Sequence, residues 1–268
     1  MESNKYKFVF VVLVYKNIDV LRDFFKSLTI DNYKIIVVNS YYDDTSLREC
    51  EEAAQLNGAD FIAIENKGYG YGNNVGTKYA MEHYEYEFLI LSNSDIEIKS
   101  FGKIEDFKDQ NMVIASKTIM RTGKHQNPDT PWELRFVYPI LEYGYNNRKR
   151  WACMFCYMCT RLSREMFRLY AFFIRKNKYK IFSPHGSFVI FTKKTVDSLY
   201  PFFDERMFLY NEEWYLALKA KLLKVPIYYI PSIEVFHYEG ASSLSSSSFD
   251  YNRQSFSILN EWRKKNKI

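Results

Sequence analysis

Three well-separated groups of side chains in this 268-residue chain have types and spacing that could do chemistry. Asp95 closes Asn93-Ser94-Asp95, directly after the apolar run Phe88-Leu89-Ile90-Leu91, so a lone carboxylate stands at the mouth of a buried strand. Glu212 and Glu213 form an acid pair far downstream, and His237 follows one strand later. A carboxylate, a distant acid pair and a late histidine are the parts needed to hold a divalent cation beside a general base. Asp95 is a hard oxygen ligand of the kind Mg²⁺ and Mn²⁺ take when phosphate oxygens complete the shell, and a borderline nitrogen from His237 favours Mn²⁺. Ile96 and Ile98 alternate with Asp95 and Glu97, so Glu97 shares the face of Asp95, as a minor contributor or simply exposed.

The acid pair falls at the start of a helix expected over 211–224, with Asn211 as N-cap and Trp214, Leu218 and Leu222 on one face. First-turn acids complement the helix dipole without any catalysis. The same placement also fixes a carboxylate at one point, where Glu213, or Glu212, could take a proton from a hydroxyl. A histidine at a strand end likewise has an ordinary structural reading.

The elements that must position these groups alternate regularly in the first half. Apolar runs Phe8 to Val14, Lys34 to Val38, Phe61 to Ile64 and Phe88 to Leu91 are separated by helical patterns Ile18 to Leu28, Thr45 to Leu56 and Asn73 to Tyr84. Such alternation predicts βαβ units and a mostly parallel central sheet flanked by helices. Ligands of these sheets bind beyond the carboxyl ends of the strands. Those ends carry Tyr15-Lys16-Asn17, Asn39-Ser40 with Asp43-Asp44, Asn66-Lys67-Gly68 and Asn93-Ser94-Asp95. The glycine run Gly68-Tyr69-Gly70-Tyr71-Gly72, followed by Asn73-Asn74-Val75-Gly76, could meet an anion through backbone N–H groups at a helix start. It is neither a P-loop nor a well-placed dinucleotide fingerprint.

Between Met120 and Pro184 the alternation breaks down into aromatic and basic sequence, with Trp132, Phe136, Tyr138, Tyr143, Tyr145 and Trp151, then Arg161, Arg164 and Arg168. The run Leu162 to Tyr179 suits either an anionic membrane face or a core helix with a solvated basic side. After Pro184, two short strands, Pro226 to Ile230 and Ile233 to His237, are expected about a Pro231-Ser232 turn. The serine-rich 242–248 reads as a loop that could cover the site, followed by a helical C-terminal tail. The expected organisation is a main domain over 1–240, divided into 1–119, an insertion over 120–184 and a second half over 185–240, with a loop and helix over 241–268.

Net charge of +5 points to anionic partners. No stretch is long and apolar enough for a membrane span, and the N-terminus lacks a cleavage site, so a cytoplasmic setting is expected, peripheral to the inner face of the cytoplasmic membrane if the basic segment binds there. Cys153, Cys156 and Cys159 sit in apolar sequence and read as a helical face of free thiols rather than a metal site.

In their order these pieces resemble the family 2 inverting glycosyltransferases of the GT-A fold, in particular the rhamnosyltransferase-like and galactofuranosyltransferase-like branch. Val11 to Asn17 is similar to the family's opening strand, Val37-Val38-Asn39-Ser40 with Asp44 to its nucleotide-base loop, the Asn66 to Gly76 run to its glycine and asparagine loop, and Asn93-Ser94-Asp95 to its metal motif. Gly186 to Phe191, Phe203-Asp204-Glu205, Glu212-Glu213 and His237 follow in the family's order. The resemblance implies a Rossmann-like GT-A sheet and a donor site drawn from Tyr15, Asn17, Asn39, Asp44, Asn66, Lys67, Gly68, Asn73, Asn74, Asn93, Ser94, Asp95 and Gly186. It also implies a divalent cation, Mn²⁺ or Mg²⁺, on Asp95 and His237, with Glu213 as base. The expected substrates are a UDP- or dTDP-linked sugar and a glycan or polyprenyl-diphosphate-linked acceptor, as in bacterial capsule or O-antigen synthesis, without nucleic acid. Asn39 stands where the family has an aspartate, and Tyr215 where it has a second acid. A nucleotidyltransferase, a basic aromatic nucleic-acid-binding module and an inactive nucleotide-sugar-binding scaffold are the competing readings.

Overall fold

The computed structural model describes residues 5–16, 18–238 and 248–268. Asn17 and nearly all of the serine-rich segment therefore lie outside the described residues. In chain order the elements are β1 (Lys5–Val14), α1 (Ile18–Ser27), β2 (Tyr33–Tyr41), α2 (Asp44–Leu56), β3 (Asp60–Glu65), α3 (Tyr69–His83), β4 (Glu85–Asn93), β5 (Ile96–Ser100) and β6 (Val113–Met120). They continue with α4 (Val137–Asn146), α5 (Arg150–Ile174), β7 (Tyr179–Ile181), β8 (Phe188–Thr192), α6 (Lys193–Leu199), α7 (Glu212–Leu222), β9 (Ile227–His237) and α8 (Ser248–Lys265).

One sheet runs in the order β3-β2-β1-β4-β8-β6-β9-β5, with β7 beside β9. The expected parallel character holds for β3-β2-β1-β4. Beyond β4 the sheet is mixed: β8 is antiparallel to β4 and β6, β5 and β7 are antiparallel to β9, and β6 and β9 are parallel. Short-range patterning reveals a strand's existence, whereas its direction is set by a distant partner.

The unbroken apolar run of β1 reflects burial on both faces. Phe8, Phe10, Val12 and Val14 pack with α1 and α2, while Val9 and Val11 pack toward α3, α6 and α7. A third cluster joins α4, α5, α7 and α8. It includes Tyr215, whose ring lies 4.9 Å from Trp262, so this departure from the acidic pattern is a packing position. Cys153, Cys156 and Cys159 are free thiols on α5, of which Cys156 is buried and the other two are half-buried; Cys50, on α2, is free and buried.

Two local expectations change. Helix α3 starts at Tyr69 rather than Asn73, so the glycine run opens it with Gly68 at the N-cap and supplies its first turn; a Cβ on Gly72 would sit 2.5 Å from Leu13 Cδ1, and one on Gly76 would sit 2.3 Å from Val11 Cγ1. Those glycines let α3 lie directly on β1. The two expected strands about Pro231-Ser232 are a single strand, β9. Its pairing with β6 jumps from Ser116↔Ile230 to Lys117↔Glu234, so the proline is accommodated in a bulge rather than ending the strand.

Candidate active site

Two clusters meet where β4, β8 and β9 reach the same end of the sheet. The first is Asp95 with His237. Asp95 sits in the tight turn from β4 to β5, and the antiparallel β5–β9 ladder pairs Ile96 with His237. The Tyr238 N–H donates to the Asp95 carbonyl at 3.0 Å, extending that ladder past the acid. Asp95 Oδ1 lies 3.1 Å from His237 Nε2, and both side chains are largely buried.

Behind the imidazole, His237 Nδ1 lies 2.6 Å from Gln126 Oε1. A fold-back after β6 places Gln126: Met120 N–H donates to Lys124 O, and Gln126 N–H donates to Thr118 O. With Nδ1–H donating to the amide oxygen, Nε2 presents a lone pair toward a carboxylate oxygen. A cation, either a proton on Nε2 or a metal ion, reconciles those two acceptors. Among the described residues no group of three or more His, Cys, Asp or Glu is arranged to hold a metal, and those residues offer one oxygen and one nitrogen donor here. That set fits Mn²⁺ or Mg²⁺ completed by phosphate oxygens and water. Glu97 takes no part, since it accepts from Tyr238 Oη at 2.6 Å and pairs with Lys99 at 2.5 Å.

The second cluster surrounds Glu213 in the first turn of α7. Glu213 Oε1 accepts from the Gly186 N–H at 3.3 Å, and the Gly186 carbonyl accepts from Tyr69 Oη at 2.6 Å. A Cβ on Gly186 would fall 2.8 Å from Glu213 Oε1, so only glycine lets the backbone approach this closely. Burial, and secondarily the Asp129 carboxylate, pushes Glu213 up to about 7. Asp129 is itself raised by burial and accepts from Thr130 Oγ1 at 2.9 Å; Thr130 Oγ1 in turn accepts from Trp214 Nε1 at 3.0 Å.

Glu212 points into the protein. It is 2% exposed, its Oε1 has no hydrogen-bond partner among the described residues, and burial followed by the neighbouring Glu213 charge holds it well above the ordinary carboxylate range. Of the two acids offered by the sequence, Glu213 is the one that reaches the Gly186 backbone, while Glu212 faces the core. Asn211 stands at the N-cap position with φ 67° and makes no cap hydrogen bond; its amide donates to Asn252 O at 3.4 Å instead.

His185 and Gly186 join the clusters. The His185 ring lies 6.0 Å from that of His237, and its backbone N–H donates to Asn127 Oδ1 at 2.6 Å. Burial pushes His185 down to about 3, so this imidazole is neutral. Asn93 N–H donates to the Ser187 carbonyl at 2.9 Å, fixing the segment beside the end of β4, next to the turn that carries Ser94 and Asp95.

The other expected donor-site residues divide. At the strand ends, Tyr15 packs edge-on to Tyr42 with centroids 5.9 Å apart, and the Lys16 ammonium lies 3.9 Å from the Tyr42 ring centre. Asp44 accepts from Tyr41 Oη at 2.6 Å, leaving Asp43 to cap α2. Asn66 Oδ1 accepts from Gly68 N–H at 3.3 Å, Lys67 pairs with Glu65 at 3.2 Å, and a Cβ on Gly68 would strike the Phe208 backbone. Asn39 and Asn73 are buried, each with an Oδ1 lacking a partner among the described residues. Asn74 is a structural staple instead: its Nδ2 donates to Phe203 O and Glu205 Oε1, and its Oδ1 accepts from Phe202 and Phe203 N–H.

Sequence reading missed Gln126, Asn127, Asp129 and His185. The turn-forming Asn127-Pro128 pair was the available signal, but nothing local ties it to residues beyond position 180.

No protein-family model matches the chain, and no curated protein matches it significantly. Solved structures do. GalNAc-T7, crystallised with UDP, GalNAc and Mn²⁺, superposes with a TM-score of 0.64 at 11% identity, covering 98% of this chain and 49% of its own. S. aureus TarS superposes with a TM-score of 0.54 at 16% identity, covering 91% of this chain and 38% of its own. The chain thus spans half or less of the length of these neighbours. At such identities the likeness concerns architecture alone, and the architecture is the GT-A glycosyltransferase fold.

Proposed function

We propose that this chain is an inverting glycosyltransferase of the family 2 type, moving a sugar from a UDP- or dTDP-linked donor to a hydroxyl of a glycan or polyprenyl-diphosphate-linked acceptor in bacterial surface polysaccharide synthesis. Residues 1–119 form its donor half, 120–184 its acceptor side and 185–240 its catalytic half. One observation carries the reading: the His185-Gly186 segment links the Asp95–His237 pair to a Glu213 poised near neutrality, its imidazole 6.0 Å from the His237 ring and its Gly186 N–H donating to Glu213 Oε1 at 3.3 Å.

Glu213 takes the proton of the acceptor hydroxyl as that oxygen bonds to the anomeric carbon. The bond from that carbon to the donor diphosphate breaks in the same displacement, which inverts the configuration. The Gly186 N–H and the packing around α7 hold the carboxylate at a fixed point, and its value near 7 keeps a substantial fraction ionised at neutral pH. Asp95 and His237 would hold the divalent ion, with Gln126 fixing the imidazole orientation. When bound, that ion supplies positive charge to the departing diphosphate.

The test is thermal stability with UDP or dTDP, with and without Mn²⁺, because a ligand of the native state raises its melting point by mass action. Stabilisation that requires Mn²⁺ and disappears in Asp95→Ala supports the reading; indifference to every nucleoside diphosphate sinks it. Product anomeric configuration by NMR then tests inversion. An inactive nucleotide-sugar-binding scaffold would show the stabilisation without turnover.

A further inference from the structure

Helix α5 inverts the usual distribution of an amphipathic helix. Its buried positions are Ala152, Cys156, Ser163 and Phe167, mostly small residues. Large apolar side chains point outward instead: Trp151, Phe155, Met158, Leu162, Leu169 and Phe173 are all exposed, Trp151 by 65% and Phe173 by 75%. They recur at steps of four, three, four, seven and four, which places them in one stripe along the helix. The stripe continues into an apolar hollow between α4 and α5, lined by Pro139, Ile140 and Tyr143 with Trp151 and Phe155. Such an extended apolar surface marks an interaction site on a folded chain.

The flanking charge identifies the partner's chemistry. Residues 148–178 contain nine lysines and arginines and a single acid, Glu165, which is already bonded to Arg168. Exposed Arg161 edges the stripe, Arg148, Lys149 and Arg150 precede it, and exposed Arg175 and Lys176 follow its C-terminal end, whereas Arg164 and Arg168 turn inward. No helix among the described residues is long and apolar enough to cross a membrane. An apolar stripe edged by cations, on a helix that does not span, is the pattern of a helix lying in the headgroup plane of an anionic bilayer.

We propose that the outward face of α5 docks this chain on an anionic lipid surface, the stripe entering the headgroup boundary and the flanking cations meeting lipid phosphates. The inner flank of the same helix faces the candidate site, since Arg168 donates to the His125 carbonyl and Arg164 acts electrostatically on Asp129 and His185. Docking therefore brings the candidate site to about one helix diameter, roughly 10 Å, from the bilayer. The proposal stands apart from the transferase reading, because lipid binding needs neither donor, metal nor turnover.

Flotation with vesicles of equimolar phosphatidylglycerol and phosphatidylcholine, against phosphatidylcholine alone, is the test. The chain is expected to float with the anionic vesicles, to stay behind with the neutral ones, and to be released by salt. Replacing Trp151, Leu162, Leu169 and Phe173 together by serine should abolish flotation with the circular dichroism spectrum unchanged. Should that variant misfold, Arg161→Gln with Lys176→Gln leaves the stripe intact and should weaken partition roughly 30-fold, about fivefold for each charge. Failure to float with anionic vesicles at low salt overturns the proposal, as does flotation indifferent to both sets of substitutions. Light scattering that shows a dimer dissolved by the serine variant, without flotation, assigns the face to a second copy instead.

Discussion

Ile96 and His237 are direct partners in the antiparallel β5–β9 ladder, and this register brings His237 Nε2 within 3.1 Å of Asp95 Oδ1 across 142 residues of sequence. Asp95 precedes its strand and His237 ends its own, so a slip of one residue would turn the imidazole to the other face of the sheet. The pair is fixed by backbone hydrogen bonding and held in orientation by Gln126.

Asp95→Ala or His237→Ala should abolish the Mn²⁺-dependent stabilisation by a nucleoside diphosphate while leaving the circular dichroism spectrum intact. Gln126→Leu keeps both donors but removes the partner of Nδ1. It should weaken the apparent Mn²⁺ affinity by roughly 10- to 100-fold, read from thermal shifts across a metal titration.

Glu213→Gln removes the proposed base at nearly constant shape. Turnover should fall by about 10²- to 10⁴-fold while nucleotide binding persists. Glu213 must be ionised to act, so kcat/KM should rise with pH through about 7. Asp129 is the nearby negative charge that helps to raise it, and Asp129→Asn should move the acid limb to lower pH. A limb that stays in place would exclude Asp129 from tuning the base.

Gly186→Ala introduces a Cβ 2.8 Å from Glu213 Oε1 and 3.2 Å from Tyr69 Oη. Either the base or the Tyr69 bond must shift. Activity should drop, with a loss of about 1–3 kcal/mol in urea unfolding. Because the effect works through the position of Glu213, combining Gly186→Ala with Glu213→Gln should cost little further turnover.

Glu212 separates structure from catalysis. Its native pKa is raised above its unfolded value, so the unfolded carboxyl ionises first as pH rises and the native state loses relative stability across that window. Glu212→Gln removes this penalty. The variant should match the parent near pH 4 and exceed it in stability at neutral pH, about the range over which an ordinary glutamate ionises. Parent-like stability at all pH values would show the acid to be solvated.

Asn74→Ala should destabilise the fold by about 2–3 kcal/mol in urea unfolding, because it strands the buried Phe202 and Phe203 N–H groups that the amide satisfies. Donor binding should fall only in proportion to the unfolded fraction, as expected of a staple rather than a ligand contact.

The sequence by itself determined the β1-α1-β2-α2-β3-α3-β4 alternation, the polar loops after those strands, and Asp95, the Glu212-Glu213 pair and His237 as the candidate groups for chemistry. Each of these is written in local periodicity or in residue type, which survives without knowledge of the partner. Tertiary structure decided the rest. Strand direction beyond β4, the single bulged β9 and the placement of Gln126, Asp129 and His185 depend on pairings between segments far apart in the chain. Burial decided between neighbouring candidates: Glu212 and Glu213 are adjacent acids in one helical turn, yet one faces the core and the other faces Gly186. The glycines of α3 carry the same lesson, since Gly72 and Gly76, which read as part of an anion-meeting segment, also bring the helix against β1. Residue type fixes what a side chain can do, while the distant surface packed against it fixes whether it does so.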